Sequence, residues 1–412
     1  MRLIFTIIVS ILLLANSKSA AQLDNHKKPM LFIGHPNRIT SLDSLIKNAS
    51  GLALNSNDYQ YQLKQNSETD SLGETAVNNQ FKNDSIIIGV ANHFFNDLAF
   101  GNSIPKLDYN GVKFKLNVYE VALLVKKYVE RESINDLVKY YIKSIKEVSI
   151  ILDTLKFYQA NNTIQLDKIK ILQNAANDFR WLNAIKKSNR FILVNIPSAQ
   201  LKAYDSNKLI MAMRVIVGKS STPTNTLAST INRLILNPYW MVPKSIIKNE
   251  MFNKYKADRD YFFKNGFTLI NESYKTVDPC NLDISKYSKD YFPFIVRQGT
   301  GLDNSLGLLK IEFDSPSSIY LHDTPQKQLF KNARRFYSHG CIRMERPIDI
   351  GNWLLQNNRI AIDTFDFKKP SKYTIPRPIP VTISTQVIIW YSLIDFDNQG
   401  VLKFYKNVYN KQ

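Results

Sequence analysis

Cysteine is scarce in this chain: two in 412 residues. A disulfide framework is therefore excluded, and a chain this long must rest on ordinary hydrophobic cores, with room for two or more domains. Acidic residues are also short, 35 against 54 Lys and Arg, for a formal net charge of +19. Residues 1–21 contribute only Arg2 and Lys18 to that excess. Such a balance favours anionic surroundings. No RNP-like, zinc-finger or helix-turn-helix pattern accompanies it, so no nucleic-acid partner is expected. Long apolar runs are missing except Leu3 to Ala15, which falls short of the about 20 residues a membrane span needs. With Met1-Arg2 before it and Ser19-Ala20-Ala21 after it, the run reads as a signal peptide over 1–21, an uncleaved anchor being the alternative. No cysteine closes the run, which argues against a lipoprotein anchor. The chain is expected to be exported.

Histidine is nearly as rare, at five residues, yet two of them, His322 and His339, lie close before Cys341. The local text is Tyr320-Leu321-His322-Asp323-Thr324, then Ser338-His339-Gly340-Cys341-Ile342-Arg343. A thiol is a useful nucleophile only as thiolate, so it needs a base or a positive field beside it. The concentration reads as a Cys-His acyl-transfer site. Zinc is the competing use of the same three side chains, but no CxxC or HxxxH pair accompanies them and Asp323 would have to complete the set. A buried structural cysteine is the plainest alternative. Cys280, in Val277-Asp278-Pro279-Cys280-Asn281, is read as a bystander. A disulfide between the two cysteines would silence Cys341 and is not expected.

The spacing of His322 from Ser338-His339-Gly340-Cys341 resembles the signature of the L,D-transpeptidases, with a YkuD-type catalytic domain. Phe191–Pro197, Met213–Lys219, Asn237–Pro243, Asn304–Gly307 and Tyr320–Pro325 resemble successive blocks of the large periplasmic members, as does Arg180-Trp181. The similarity covers about residues 85–410. It implies an α+β multidomain protein: a helical N-terminal accessory domain, then a mostly β catalytic domain with a capping insertion. The expected divisions are 22–85 as an exposed, partly disordered lead-in, 86–185 as helical scaffold, and 186–368 as catalytic domain with an insertion at 244–300. Residues 369–412 are expected to form a C-terminal β-hairpin packed on the catalytic domain. The small peptidoglycan-binding module of many large members is not found: Tyr158 to Leu172 has no Asp-Gly or Gly-Thr turn.

Local patterns agree with that division. Val118, Val121, Leu124, Val125 and Tyr128 share one helical face, and a second helix is expected from Ser133 to Tyr158, capped by Ser133. Strands are expected at Phe191–Ile196 and Met211–Val217 about a turn at Tyr204–Asn207, then at Thr230–Leu236 and Leu308–Phe313. Ile319–Leu321 should deliver His322 at a strand end, with a helix after Pro347. Val381–Tyr391 and Val401–Tyr405 should form the closing hairpin.

The resemblance assigns Cys341 as nucleophile and His322 as proton donor and acceptor. His339 would orient the loop or hydrogen-bond near the thiolate and ranks second as base, and Ser338 would steady the loop or a histidine through its hydroxyl. Backbone N–H groups at His339, Gly340 and Cys341 would form an oxyanion hole. Arg343 would grip a substrate carboxylate, the alternative being an ion pair with Glu345. Tyr320 and Trp240 would wall the cleft, the alternative being that either is simply core. The implied reaction joins a tetrapeptide stem donor to the diamino-acid side chain of a neighbouring peptidoglycan stem, a 3-3 crosslink in the periplasm. It uses no metal and no organic cofactor. Water or a protein lysine as acceptor, or a non-catalytic wall-binding role, are the alternatives.

Overall fold

The computed structural model describes residues 30–60, 74–131, 133–160, 165–186, 190–206, 208–356, 358, 362 and 375–411. The expected signal peptide and part of the lead-in lie outside them. The chain divides into two compact units. One holds the residues up to Pro105, Phe114–Ser188 and Ser392–Tyr405; the other holds Lys106–Lys113, Asn189–Tyr391 and Lys406–Gln412.

The first unit is helical: α1 Pro36–Lys47, α2 Glu74–Phe100, α3 Val118–Arg131, α4 Ile134–Ser144, α5 Lys146–Ala160 and α6 Leu166–Lys186. Val121, Val125 and Val129 are buried on α3, with Leu124 and Tyr128 packed beside them. Ser133 caps α4, its hydroxyl accepting from the Asn135 N–H at 3.2 Å. The single helix expected from Ser133 to Tyr158 is two helices, because Ile145 leaves helical geometry (φ −127°, ψ 93°) while burying its side chain.

The described part of the lead-in is not an exposed arm. Leu31, Phe32, Leu42, Leu54 and Tyr59 are buried in one core with α2, α3 and α4. The Asp84 carboxylate accepts from the N–H groups of Leu31, Phe32 and Ile33 at 2.9, 2.7 and 2.8 Å. A few apolar residues spaced along a polar segment suffice to dock it.

The second unit is built on strands β1 Tyr109–Asn110, β2 Arg190–Asn195, β3 Gln200–Asp205, β4 Lys208–Gly218, β5 Leu227–Leu236, β6 Trp240–Met241, β7 Phe267–Ile270, β8 Thr276–Val277 and β9 Ile295–Gln298. Further along come β10 Leu309–Phe313, β11 Leu321–His322, β12 Phe336–Ser338, β13 Ile342–Met344, β14 Arg377–Pro380 and β15 Gln386–Trp390. The order β5-β10-β11-β13-β4-β3-β2-β15 closes on itself, since β15 pairs with both β2 and β5. The first half of β5 pairs with β15 and the second half with β10, so one strand turns the corner. β2 is buried along its whole length, as its near-continuous apolar text requires of a strand covered on both faces.

Two expectations need correction. β3 runs through Tyr204 and Asp205, which the sequence offered as turn; Leu201 and Ala203 alternate inward, and the chain reverses at Ser206 with φ +46°. The C-terminal segment is not one hairpin on the barrel. β14 and β15 join the main sheet, whereas β16 Ile394–Phe396 and β17 Leu402–Phe404 pair with each other in the helical unit. There Phe396 meets Phe179 at 5.2 Å between rings and Phe404 meets Tyr158 at 6.2 Å, contacts that draw the hairpin to the helices.

The insertion forms its own antiparallel sheet, β6-β9-β7-β8, with its own core of Val242, Ile247, Met251, Tyr255, Phe262 and neighbours. Its aromatic-rich text is explained by that core: the Tyr255 and Phe262 rings lie 4.6 Å apart.

Candidate active site

Backbone register builds the centre of the site. β11 pairs with β10 so that Lys310 stands opposite His322, and with β13 so that His322 stands beside Arg343. Residues directly opposite across a ladder project to the same face. Lys310, His322 and Arg343 therefore form a row across three strands, with Ile235 and Ile216 flanking it.

His322 is buried. Its Nδ1 lies 2.5 Å from the Asp323 carbonyl oxygen, which assigns the proton to Nδ1 and leaves Nε2 as the basic nitrogen. Burial first, then the Arg343 charge, lowers its pKa to about 3, so the imidazole is neutral at physiological pH. Asp323 is itself pinned. Its carboxylate accepts from the Leu308 N–H at 2.9 Å and contacts Lys327. A Cβ on Gly307, which has φ +60°, would strike that carboxylate, so the glycine is demanded twice over.

Cys341 sits half-buried just before β13. Its sulfur faces the Ser318 carbonyl at 3.8 Å. The Tyr320 phenol lies close enough to the sulfur for each group to act on the other's titration, and Trp240 lies beside that phenol. Burial pushes the Cys341 thiol up; Tyr320, Lys310 and Arg343 all act to bring it down. Burial likewise holds the Tyr320 phenol far above its ordinary range, the nearby Cys341 charge adding to it.

The loop that carries Cys341 is fastened through its backbone. The Ser338 carbonyl accepts from the Lys219 N–H at 3.0 Å and the Thr222 hydroxyl at 3.1 Å. The Gly340 carbonyl accepts from the Thr224 hydroxyl at 2.8 Å. Gly340 has φ +114°, a conformation side chains resist, although a Cβ there would meet only ordinary contact. Its N–H, expected among the oxyanion donors, is engaged with the buried Ser338 hydroxyl at 3.2 Å. Among the described residues the Cys341 N–H has no such partner and stands open.

Most of the expected site residues meet here: Cys341, Tyr320, Trp240, Ser338, Gly340 and Arg343, with His322 paired to Arg343 on the neighbouring strand. His339 does not join them. Its Nε2 lies 2.5 Å from Glu250 of the insertion. Among the described residues no hydrogen bond joins either histidine to the Cys341 sulfur, and no group of three or more His, Cys, Asp or Glu side chains is placed to hold a metal. The Arg343–Glu345 ion pair is not formed. Glu345 pairs with Arg214, Oε1 to Nε at 2.9 Å, while Arg343 donates to the Gln326 side chain at 2.6 Å. The Arg343 Nε–H is buried without a partner.

Sequence reasoning missed Lys310 and Glu250. The alternation of Leu309–Phe313 marks Lys310 and Glu312 as one face, but only register shows that the face is His322's. Lys310 lies over the Tyr320 ring at 4.2 Å from its centre and pairs with Glu312 at 2.6 Å.

Residues 189–389 match the L,D-transpeptidase catalytic domain, YkuD. The chain carries that domain. A Haemophilus influenzae protein provisionally named L,D-transpeptidase is 30% identical over 289 residues, covering 67% of this chain and 58% of its own length. The chain thus spans less than two thirds of that relative. Among solved structures, an L,D-transpeptidase from Mycobacterium smegmatis covers 49% of this chain and 58% of its own, at 11% identity and a TM-score of 0.24. A mutant L,D-transpeptidase of Enterococcus faecium covers 49% and 50%, at 13% identity and a TM-score of 0.20. L,D-transpeptidases act on peptidoglycan stem peptides. Among the described residues no helix is long and apolar enough to cross a membrane.

Proposed function

We propose that this domain forms 3-3 crosslinks in peptidoglycan by acyl transfer through Cys341. The thiol attacks the carbonyl of the L-centre-to-D-Ala bond in a tetrapeptide stem, forming a thioester and releasing D-Ala. The observation that carries this reading is the setting of Cys341: a half-buried thiol beside Tyr320, within the fields of Lys310 and Arg343, with its own N–H open. Because burial raises the thiol and lowers the imidazole, the resting groups are neutral. His322 Nε2 then acts as general base during attack and returns the proton to the leaving amine. It next takes a proton from the incoming side-chain amine, which attacks the thioester carbonyl, and passes that proton to the departing Cys341 sulfur, restoring the neutral thiol.

The Cys341 N–H is the primary oxyanion donor in this reading. The unpartnered Arg343 Nε–H offers a charge-assisted hydrogen bond to a substrate carboxylate. The helical unit serves as scaffold and the insertion as a cap that limits water, favouring an amine acceptor. The protein acts at the wall, outside the cytoplasmic membrane.

Incubation with tetrapeptide muropeptides and mass analysis of the products tests the proposal. Dimers joined through the diamino-acid side chain are expected. Tripeptides without dimers would replace crosslinking by hydrolysis. Absence of any carbapenem adduct on Cys341 would remove the acyl-enzyme itself.

A further inference from the structure

The insertion touches the catalytic loop through Glu250. The chain from Lys244 to Ala257 is helical in three pieces: Lys244–Ile246, a π turn at Ile247–Met251, and Phe252–Ala257. A π turn places one extra residue in the helix, and such turns recur where a side chain must be re-aimed for function. Ile247 and Met251 at its two ends are buried in the insertion's core, so the turn cannot drift. Glu250, between them, is part-exposed. Its carboxylate meets His339 Nε2 at 2.5 Å and lies 3.9 Å from the Lys219 ammonium.

Both partners belong to the mount of the nucleophile. Lys219 gives its N–H to the Ser338 carbonyl, and His339 lies between Ser338 and Gly340. On the barrel side, Thr222 and Thr224 hold the loop by its carbonyls. The insertion side is held through the His339 ring. A glycine at φ +114° beside that ring makes the Cys341 N–H sensitive to how His339 sits.

We propose that Glu250 is a positioning residue: through His339 it latches the insertion onto the Ser338–Cys341 loop and fixes the Cys341 N–H and sulfur for acyl transfer. It touches no reacting atom. His339 thus acts through Glu250 and the loop, and not as a second base. The kinetic arm of the test rests on the acyl-transfer reading; the other arms do not.

In the full-length protein, Glu250→Gln keeps shape and removes charge, while Glu250→Ala removes the contact. The expected outcome is faster amide hydrogen exchange at both 244–257 and 338–341, with the rest of the barrel unchanged. Alkylation of Cys341 by iodoacetamide should change several-fold in rate. Transpeptidation should lose roughly tenfold in kcat with KM little altered, the pattern of a misplaced group. In a His339→Gln background, Glu250→Gln should add nothing. Unchanged exchange in both segments in both variants would overturn the latch even if no transpeptidation were ever detected. An undiminished effect of Glu250→Gln in the His339→Gln background would overturn the route through His339 and assign it to Lys219.

Discussion

The two cysteines sit in opposite electrostatic settings. Cys280 lies exposed in a 3-10 turn, its sulfur 3.5 Å from the Asp260 carboxylate and with Asp278 nearby. Desolvation and both carboxylates push its thiol up. Cys341 is also pushed up, but by burial alone; every charged or hydrogen-bonding neighbour that acts on it favours the thiolate. Access and activation are therefore separated in this molecule. The accessible thiol has no help, and the helped thiol is partly hidden. A raised thiol pKa favours the protonated form, which is less prone to alkylation and oxidation than a thiolate.

The sharpest way to break this comparison is to remove each sulfur. Cys341→Ala should abolish carbapenem adduct formation and reduce transpeptidation by about 10³-fold or more. Cys280→Ala should change neither. Intact-mass analysis after carbapenem treatment reads both. An adduct surviving in Cys341→Ala and absent in Cys280→Ala would invert the assignment.

The histidines extend the contrast. His322 is buried with its tautomer fixed by the Asp323 carbonyl, whereas His339 is part-exposed on Glu250. His322→Asn should cost about 10²- to 10⁴-fold in kcat/KM, the range for a general base. His339→Asn should cost roughly tenfold, the effect of a loosened loop that holds the nucleophile less accurately. Equal losses would place both rings in the chemistry.

His322 also gives a signature in stability. Its folded pKa of about 3 lies below the ordinary value of about 6.5, so between those values the unfolded chain binds the extra proton. Unfolding free energy therefore rises with pH across that window and falls as acid is added. Melting temperature measured from pH 7 to pH 4 should drop more steeply in the parent than in His322→Asn. Parallel curves would show that the ring is not held neutral by burial.

What the sequence disclosed of this contrast depended on whether a property is local. Ser338–Arg343 and His322 are legible because their residue types and spacing are themselves the chemistry. Ser133 as a cap and the apolar text of β2 are legible because caps and strands are short-range physics. Lys310 was not, since nothing within Leu309–Phe313 says which strand will lie beside it. Glu250 was not, since its meeting with His339 depends on a π turn and a separate core. The C-terminal hairpin was recognised as β but placed on the wrong partner, because strand propensity carries no information on which aromatic contacts recruit it.

The smallest expected effect tests the field itself. Iodoacetate and iodoacetamide alkylate thiolates by the same displacement but differ in charge. Lys310 and Arg343 should favour the anionic reagent at Cys341, and Asp260 and Asp278 should oppose it at Cys280. The iodoacetate-to-iodoacetamide rate ratio, measured per site by peptide mass analysis, should be higher at Cys341 by several-fold. Lys310→Met should reduce that ratio at Cys341 alone and raise its thiol pKa further, because one of the cations opposing burial is gone. Added salt should shrink the difference at exposed Cys280 more than at Cys341, since screening acts most on charges in contact with solvent. A ratio indifferent to Lys310 would mean that Arg343 and Tyr320 alone oppose the effect of burial.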